Sequence, residues 1–349
     1  MRPAPGVSAG RGRGEAGQDP ASAPGPMRRG GARTWRPALA ATAALALAIA
    51  GCREAGKTAN VPSPAPPFDA SAAFELLKQQ VAFGPRVPGT PGHQRQLDWM
   101  VAYLKQRADT VIVQPFTAVT PKGDTLHLSN VIARFKPAAT DRVLLLAHWD
   151  TRQIADSEAD SAKKNSPIPG ANDGASGVAV LMQLADVLKR HSPPLGVDLL
   201  FDDGEDYAGN MYAGSQYFAA TWGPTYHPLY GILLDMVGDQ NPQFPIEPNS
   251  QDAAPEIVDR VWSAAERIGL GTDFPRSPGE AIEDDHIPLL KAGIHTVDII
   301  DFDYQGQGCT GIGAGGPCWH TLQDTVAHTS PLGLGVVGRV VADLIYSGG

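Results

Sequence analysis

The chain has 349 residues, of which 42% are hydrophobic and 19% charged, and its formal net charge is −9. This composition excludes an intrinsically disordered chain and a strongly basic nucleic-acid-binding protein. The charge is uneven, because the first 51 residues carry seven arginines against two acids, a net charge of +5, which leaves −14 for the remainder. We therefore expect the acidic remainder to bind neither nucleic acid nor an anionic lipid surface.

The basic segment, residues 1–51, has the features of an export signal. Arginines precede an apolar run from Pro37 to Ala50, which is shorter than the roughly 20 residues of a transmembrane helix. We expect translation to start at Met27, since residues 1–26 show no periodic pattern.

The apolar run ends in a sequence that resembles a bacterial lipobox, Ile49-Ala-Gly-Cys52. In a lipobox the cysteine becomes the lipidated first residue, so Cys52 predicts an exported bacterial lipoprotein of the cell envelope, held to the membrane by lipid alone. The alternative is an ordinary signal peptide followed by a coincidental cysteine.

The rest of the chain divides into a tether and one domain. Residues 52–67 are polar and rich in proline, which predicts an extended tether. Residues 68–349 are long enough for a single domain with a sizeable core. In this domain Cys309 and Cys318 flank a glycine-rich loop, and outside the cytoplasm we expect them to form a disulfide.

Helical and strand-like patterns alternate along the domain. In chain order they predict helices over 70–83 and 94–107, strands over 111–116, 128–135 and 142–147, a helix over 174–191, strands over 197–201 and 230–234, a helix over 253–268, a strand over 295–300 and a helix over 331–346. This order predicts an α/β fold, a three-layer αβα sandwich with a central mixed, largely parallel sheet.

Several apolar strands end abruptly in a histidine or an acid: His148 after one strand, Glu205 and Asp206 after the next, and Asp235 after a third. In open α/β sheets, sites gather beyond the carboxyl ends of the strands. With Asp173 and His320 these side chains offer imidazole and carboxylate ligands for one zinc ion, or for two.

Taken singly, most of these residues have a simpler explanation. Asp173 can cap the helix that follows it, and the adjacent acids Glu205 and Asp206 can form a solvated loop. Asp235 is different, because an unpaired carboxylate in an apolar stretch would be costly.

Taken together, the motifs resemble the M28 metallopeptidase family in order and spacing from about Phe83 to the C-terminus. They are Gly84–Gly92, His148-Trp-Asp-Thr, Gly170-Ala-Asn-Asp-Gly-Ala-Ser-Gly, Asp203-Gly-Glu-Asp, Leu234-Asp-Met-Val-Gly and Trp319-His-Thr. The family contains zinc aminopeptidases and glutaminyl-peptide cyclotransferases. Trp319 directly before His320, the Asp284-Asp285-His286 loop and the stretch from Gly238 to Ser250 are more similar to the cyclotransferases.

The resemblance implies a role for each matching position. Asp173, Asp206 and His320 would bind the catalytic zinc, and Glu205 would act as general acid and base. Asp235 and Asp285 would be its proton-handling partners.

Further positions follow from the same resemblance. Trp319 would form a wall of the substrate pocket, and we expect Trp149, beside His148, to line the site as well. His148 and Asp235 would hold a second zinc bridged by Asp173 in a dinuclear enzyme. Asp206 stands where many relatives have glutamate, so its shorter side chain requires a closer backbone or a different coordination mode.

These roles predict a zinc-dependent cyclotransferase that converts the N-terminal Gln of peptides or proteins into pyroglutamate and releases ammonia. The alternative within the family is an aminopeptidase that hydrolyses N-terminal peptide bonds. A metal-free binding domain would be marked by loss of ligands, and none of the candidate ligands is lost.

Overall fold

The computed structural model describes residues 64–304, 309, 311 and 318–347. The predicted export signal, Cys52 and the tether as far as residue 63 lie outside the described residues, so those assignments stay predictions. Within the described part of the chain, no helix is long and apolar enough to cross a bilayer.

The described residues form helices and strands in an alternating order that agrees with the sequence patterns. In chain order they are α1 (Ala70–Ala82), α2 (Pro91–Lys105), β1 (Thr110–Val119), β2 (Thr125–Phe135), β3 (Arg142–His148), α3 (Ala175–Arg190), β4 (Gly196–Asp202), α4 (Ala213–Trp222), β5 (Gly231–Asp235), α5 (Pro248–Ala253), α6 (Pro255–Arg267), α7 (His286–Lys291), β6 (Thr296–Ile300) and α8 (Pro331–Tyr346). Helices α4, α5 and α7 were not predicted, and β1 and β2 are longer than expected.

Capping residues set several helix starts. Asp69 caps α1, as a carboxylate oxygen accepts a hydrogen bond from the backbone N–H of Ala72. Helix α2 begins at Pro91, three residues earlier than predicted, because Thr90 caps it and proline suits the first helical position. Helix α6 also has a proline at its first position, Pro255, and it starts there without a side-chain cap because the short α5 occupies the residues before it.

The strands form one mixed sheet in the order β1-β2-β4-β3-β5-β6. Strands β1, β2 and β4 pair antiparallel, whereas β4, β3, β5 and β6 are parallel. The largely parallel sheet predicted from the sequence is therefore confirmed. The carboxyl ends of the four parallel strands lie at one edge of the sheet.

Alternate residues of the central strands face two separate cores, which makes the fold three-layered. On β3, Leu145 and Ala147 pack into the larger core with α1, α3, α6 and α8. Leu144 and Leu146 pack on the other face, with Phe218 of α4 and Leu289 of α7. Burial on both faces explains why these strands are continuously apolar.

A buried charge cluster lies far from the carboxyl edge, near the start of β4. Asp198 accepts hydrogen bonds from Arg142 Nε and Nη2 at 2.6 and 2.8 Å, from Arg134 Nε at 3.0 Å and from the Tyr226 hydroxyl at 2.8 Å. Asp198 and Arg142 are both buried. Arg142 and Asp198 therefore depend on each other, because either charge without the other would be left unpaired inside the protein.

We predict that Asp198→Ala lowers the free energy of unfolding by about 3–5 kcal/mol, because it leaves the Arg142 guanidinium buried without its carboxylate. Urea unfolding monitored by circular dichroism measures this change. The matched control is Asp259→Ala, which removes an exposed partner of Arg276 and should cost less than about 1 kcal/mol. Equal losses for the two variants would contradict the prediction.

Candidate active site

Strand ends place the predicted ligands at one edge of the sheet. His148 is the last residue of β3, and Asp235 is the last residue of β5. Strand β4 ends at Asp202, and a turn through Gly204, whose φ of +77° favours glycine, leads to Glu205. The motifs that are far apart in the sequence therefore meet in space.

Five of the predicted residues form two overlapping triads that share Asp173. They are Asp173, Asp206 and His320, and His148, Asp173 and Asp235, and in each triad the ligand atoms lie within 4.8 Å of one another. His320 Nε2 is 3.3 Å from Asp206 Oδ1 and 3.5 Å from Asp173 Oδ2. His148 Nε2 is 3.2 Å from Asp173 Oδ1 and 3.2 Å from Asp235 Oδ1.

The donor set of the first triad fits a zinc ion. It consists of one imidazole nitrogen and carboxylate oxygens, which are ligands that zinc takes in proteins. Asp206 Oδ2 is buried and has no hydrogen-bond partner among the described residues. A buried carboxylate oxygen in that state is costly unless a cation or a donor satisfies it.

The backbone around Asp173 is held by side chains that the sequence did not single out. The Asp324 carboxylate accepts hydrogen bonds from the backbone N–H groups of Asn172 and Asp173, at 2.8 and 3.1 Å. The buried Arg86 guanidinium donates to the carbonyl oxygen of Gly170 at 2.6 Å. Asp173 is therefore fixed before α3 begins.

Gly174, which follows Asp173, leaves room for the His148 ring. A Cβ atom at this position would overlap His148 Nε2 and the His148 carbonyl oxygen. Only glycine allows Asp173 and His148 to approach as closely as they do, so the glycine of the Asn172-Asp173-Gly174 motif has a steric reason.

The adjacent acids Glu205 and Asp206 are oriented by Asp150. The Asp150 carboxylate accepts hydrogen bonds from the backbone N–H of Glu205 at 3.1 Å and of Asp206 at 3.3 Å. Asp150 stands within the His148-Trp149-Asp150-Thr151 motif, where no role was assigned to it. Its position explains why an acid follows the histidine at this spacing.

The surroundings of Glu205 raise its affinity for a proton. Burial raises the pKa of Glu205 well above its usual range, and the nearby His148 only partly opposes this. The charges of Asp206 and Asp284 raise the pKa further, because a second negative charge is unfavourable beside them. A carboxyl group of this kind can hold a proton and release it.

His148 and Asp173 stabilise each other in charged form. Burial alone would lower the pKa of His148, but hydrogen bonds with Asp150, Asp173 and Asp235 raise it well above its usual value. Burial would likewise raise the pKa of Asp173, but His148 and His320 lower it overall. Asp173 therefore stays a carboxylate, as a metal ligand must.

A cavity of about 190 Å³ opens beside the two triads. Glu205, Asp235 and Asp284 line it, together with Trp319 and Phe302. The Trp319 and Phe302 rings lie 5.1 Å apart, so they form a continuous aromatic wall. Trp319 thus lies where the sequence placed it, whereas Phe302 was missed because nothing in its local sequence distinguishes it.

The two aspartates of the acidic loop lie in different surroundings, and the role predicted for Asp285 stays a prediction. Asp284, rather than the predicted Asp285, lines the cavity with Glu205. Asp285 accepts a hydrogen bond from Ser215 Oγ at 2.5 Å and lies beside Asp202, so it belongs to the buried support behind the loop. Burial and then the charges of Asp235 and Asp285 raise the pKa of Asp284 well above its usual range.

Trp149 is also placed differently from the prediction. It is fully buried, it stacks on His93 at 4.2 Å between ring centroids, and its Nε1 donates to the Ser129 carbonyl oxygen at 3.2 Å. It is therefore a core residue and does not line the cavity described above. The expected disulfide between Cys309 and Cys318 is confirmed.

Comparison with known proteins agrees with this geometry. Residues 130–345, more than half of the chain, match the model of peptidase family M28. The chain belongs to peptidase family M28. This match confirms the resemblance to the family that was based on the sequence motifs.

Similar proteins include some named as glutaminyl cyclases and one named as an aminopeptidase precursor. A solved structure of Bacteroides thetaiotaomicron glutaminyl cyclase is 38% identical, with a TM-score of 0.75, over 81% of this chain and 99% of that one. A solved leucine aminopeptidase precursor from the same species is 37% identical, with a TM-score of 0.75, over 82% and 99%. The glutaminyl-peptide cyclotransferase-like protein of Bos taurus is 27% identical over 74% of this chain and 70% of its own.

Asp301, the residue directly after β6, is a buried acid that predicts a pH dependence of stability. Burial and the neighbouring Asp239 and Asp303 raise its pKa to about 8, although the Gln243 backbone N–H opposes this. The folded protein therefore holds a proton that the unfolded chain releases near pH 4. The stabilisation is complete below that pH and is lost as the pH rises to about 8.

We predict that Asp301→Asn flattens this dependence, because the amide stays neutral at every pH. Between pH 5 and pH 8 the free energy of unfolding of the wild type should fall more than that of the variant, as measured by urea unfolding. Asp160→Asn, at an exposed position, is the control and should follow the wild type. Parallel curves for the wild type and Asp301→Asn would contradict the prediction.

Proposed function

We propose that the protein is a zinc-dependent glutaminyl-peptide cyclotransferase, which converts the N-terminal Gln of a peptide into pyroglutamate and releases ammonia. The observation that carries the proposal is the convergence of Glu205, Asp235 and Asp284 on one small cavity under the Trp319–Phe302 wall. Proton transfer between two nitrogens of one residue needs such carboxyl groups. The glutaminyl cyclases among its relatives support the same activity.

Asp173, Asp206 and His320 would hold one zinc ion. When bound, zinc would polarise the side-chain amide of the substrate and stabilise the charge that develops on its oxygen. Asp235 Oδ1 already accepts a hydrogen bond from the backbone N–H of Met236 at 2.8 Å and lies beside His148. We therefore assign Asp235 to the proton-handling group rather than to a second zinc.

Glu205 performs the proton transfers. The α-amine forms a bond to the side-chain amide carbon, the bond from that carbon to its nitrogen breaks, and ammonia leaves. Glu205 in its carboxylate form takes the proton that the amine loses, and in its protonated form it gives that proton to the departing nitrogen. Burial and the charges of Asp206 and Asp284 keep the proton affinity of Glu205 high, and Asp235 and Asp284 share the cavity with it.

The cavity shape supplies the remaining requirement. A volume of about 190 Å³ suits one side chain rather than an extended peptide. Because nucleophile and electrophile belong to the same residue, the protein needs only to hold a bent conformer in which they meet. The aromatic wall of Trp319 and Phe302 favours that conformer and keeps water from the reacting amide.

Aminopeptidase activity is the second candidate, and one observation favours it. His148, Asp173 and Asp235 form a further triad that shares Asp173 with the first. Two metal ions bridged by Asp173 would suit hydrolysis by an activated water, with Glu205 as its base. The leucine aminopeptidase precursor among the relatives agrees with this alternative.

We also propose that the protein is exported and lipidated at Cys52, with the Pro-rich tether between lipid and domain. The N-terminal basic and apolar segments and the lipobox-like sequence support this proposal. The substrates would then be peptides or proteins with a free N-terminal Gln in the cell envelope.

Mass spectrometry of two peptides separates the candidate activities. With zinc-loaded protein, we expect a peptide that starts with Gln to lose ammonia and a peptide that starts with Leu to stay intact. Glu205→Gln should lower the rate by about 10²-fold or more, because the proton carrier is lost. Glu280→Gln, at an exposed position, is the matched control and should keep wild-type activity. Release of Leu would make the protein an aminopeptidase.

A second pair of variants tests the assignment within the acidic loop. Asp284→Asn should lower kcat/KM for the Gln peptide by on the order of 10²-fold, since Asp284 shares the cavity with Glu205. Asp285→Asn, the same change one residue later, should lower it far less, because the amide oxygen can still accept from Ser215. The assignment fails if Asp285→Asn is the more damaging substitution in steady-state assays.

A further inference from the structure

A ring of four side chains surrounds the outer side of the first triad. Arg152 Nη1 donates to Asp206 Oδ1 at 2.6 Å, and Arg152 Nε and Nη2 donate to the two oxygens of Asp156, both at 2.8 Å. Asp156 Oδ1 is 3.6 Å from His320 Nδ1. His320 Nε2 lies 3.3 Å from Asp206 Oδ1, which closes the ring.

The two oxygens of Asp206 have different surroundings. Oδ1 is occupied by the buried Arg152 guanidinium, and the short charge-assisted hydrogen bond fixes the carboxylate plane. Oδ2 is buried without a partner among the described residues. Asp206 therefore offers a single free oxygen.

The ring also fixes which nitrogen of His320 is free. Asp156, held by two hydrogen bonds from Arg152, faces Nδ1, so Nε2 is directed at Asp173 and Asp206. At 3.6 Å this is an ion-pair contact, and a carboxylate that faces the outer nitrogen of a histidine ligand favours that orientation of the ring. His320 needs this support, because its φ of +53° is a conformation that residues with side chains rarely adopt.

We propose that Arg152 and Asp156 are positioning residues that make Asp206 a one-oxygen ligand and His320 an Nε2 ligand of the zinc. This inference rests on the proposed function, since it assumes that the triad holds a metal. It also accounts for the aspartate at position 206. Arg152 holds Asp206 Oδ1 by a hydrogen bond, so the carboxylate of this shorter side chain cannot rotate and keeps one orientation.

The test is zinc affinity, measured on the full chain at fixed pH by competition with a chromophoric chelator. Arg152→Met should weaken binding by about 10- to 100-fold, as for other lost supports of metal ligands. Asp156→Ala should weaken it in the same direction by a smaller factor. The matched control is Arg134→Met, which removes an Arg–Asp pair at the opposite end of β4 and should bind zinc like the wild type.

Cobalt substitution gives a spectroscopic measurement that would not change if Arg152 and Asp156 only stabilised the fold. In Arg152→Met the freed Asp206 oxygen can also reach the metal, so the coordination number should rise and the visible absorption of the cobalt protein should weaken. In Asp156→Ala, Arg152 still occupies that oxygen and the bands should keep more of their intensity. Thermal unfolding of the metal-free variants checks that they fold. If Arg152→Met does not fold, the zinc affinity of Asp156→Ala is enough to test the proposal.

Three results would overturn the inference. Zinc affinity equal to that of the wild type in both variants would show that the ring does not position the ligands. Tighter binding in Arg152→Met would show that its positive charge opposes the metal more than its hydrogen bonds assist it. A wild-type protein that holds no zinc would overturn the proposed function itself, and the positioning role with it.

Discussion

Buried negative charge around Asp173 is the constraint on which the rest of the site depends. Asp173, Asp206 and Asp235 meet at the carboxyl edge of the sheet, in surroundings where carboxylates repel and water cannot screen them. His148 and Arg152 compensate part of this charge through hydrogen bonds. Asp206 Oδ2 remains unsatisfied, and a bound cation would satisfy it. Metal binding and the stability of this edge are therefore linked.

The three-layer fold stabilises the strand ends that carry this concentration of charge. Strands β3, β4 and β5 are buried on both faces, so their ends are fixed by two cores rather than by loops. Further carboxylates then hold the loop backbone: Asp150 binds the N–H groups of Glu205 and Asp206, and Asp324 binds those before α3. The ligands are thus positioned by groups that are themselves immobile, as precise metal sites require.

The sequence predicts the site well where residue type and strand position decide it, and less well where side-chain direction decides it. Acids and histidines after the strands indicated His148, Asp206 and Asp235, because parallel strands end at one edge. Asp173 and His320 were assigned as ligands through the resemblance to the M28 motifs. Trp149 was misplaced because adjacency to His148 in the sequence does not fix side-chain direction, and its ring packs on His93 and donates to the Ser129 carbonyl oxygen instead. Asp284 and Asp285 are chemically identical neighbours, so only the fold of the loop against Ser215 distinguishes them.

The same ligands serve two reactions, so the surroundings of the ligands decide which reaction the site favours. Hydrolysis at a dinuclear site would use an activated water, and Asp235 would then serve as a metal ligand. Cyclisation needs no water and gains from an enclosed cavity in which several carboxyl groups share protons. The described cavity is small, has an aromatic wall and brings Asp284 to the same side as Glu205 and Asp235. Asp284 at that point hinders neither reaction. Only cyclisation, in which a proton moves between two nitrogens of one residue, has a use for this additional acid.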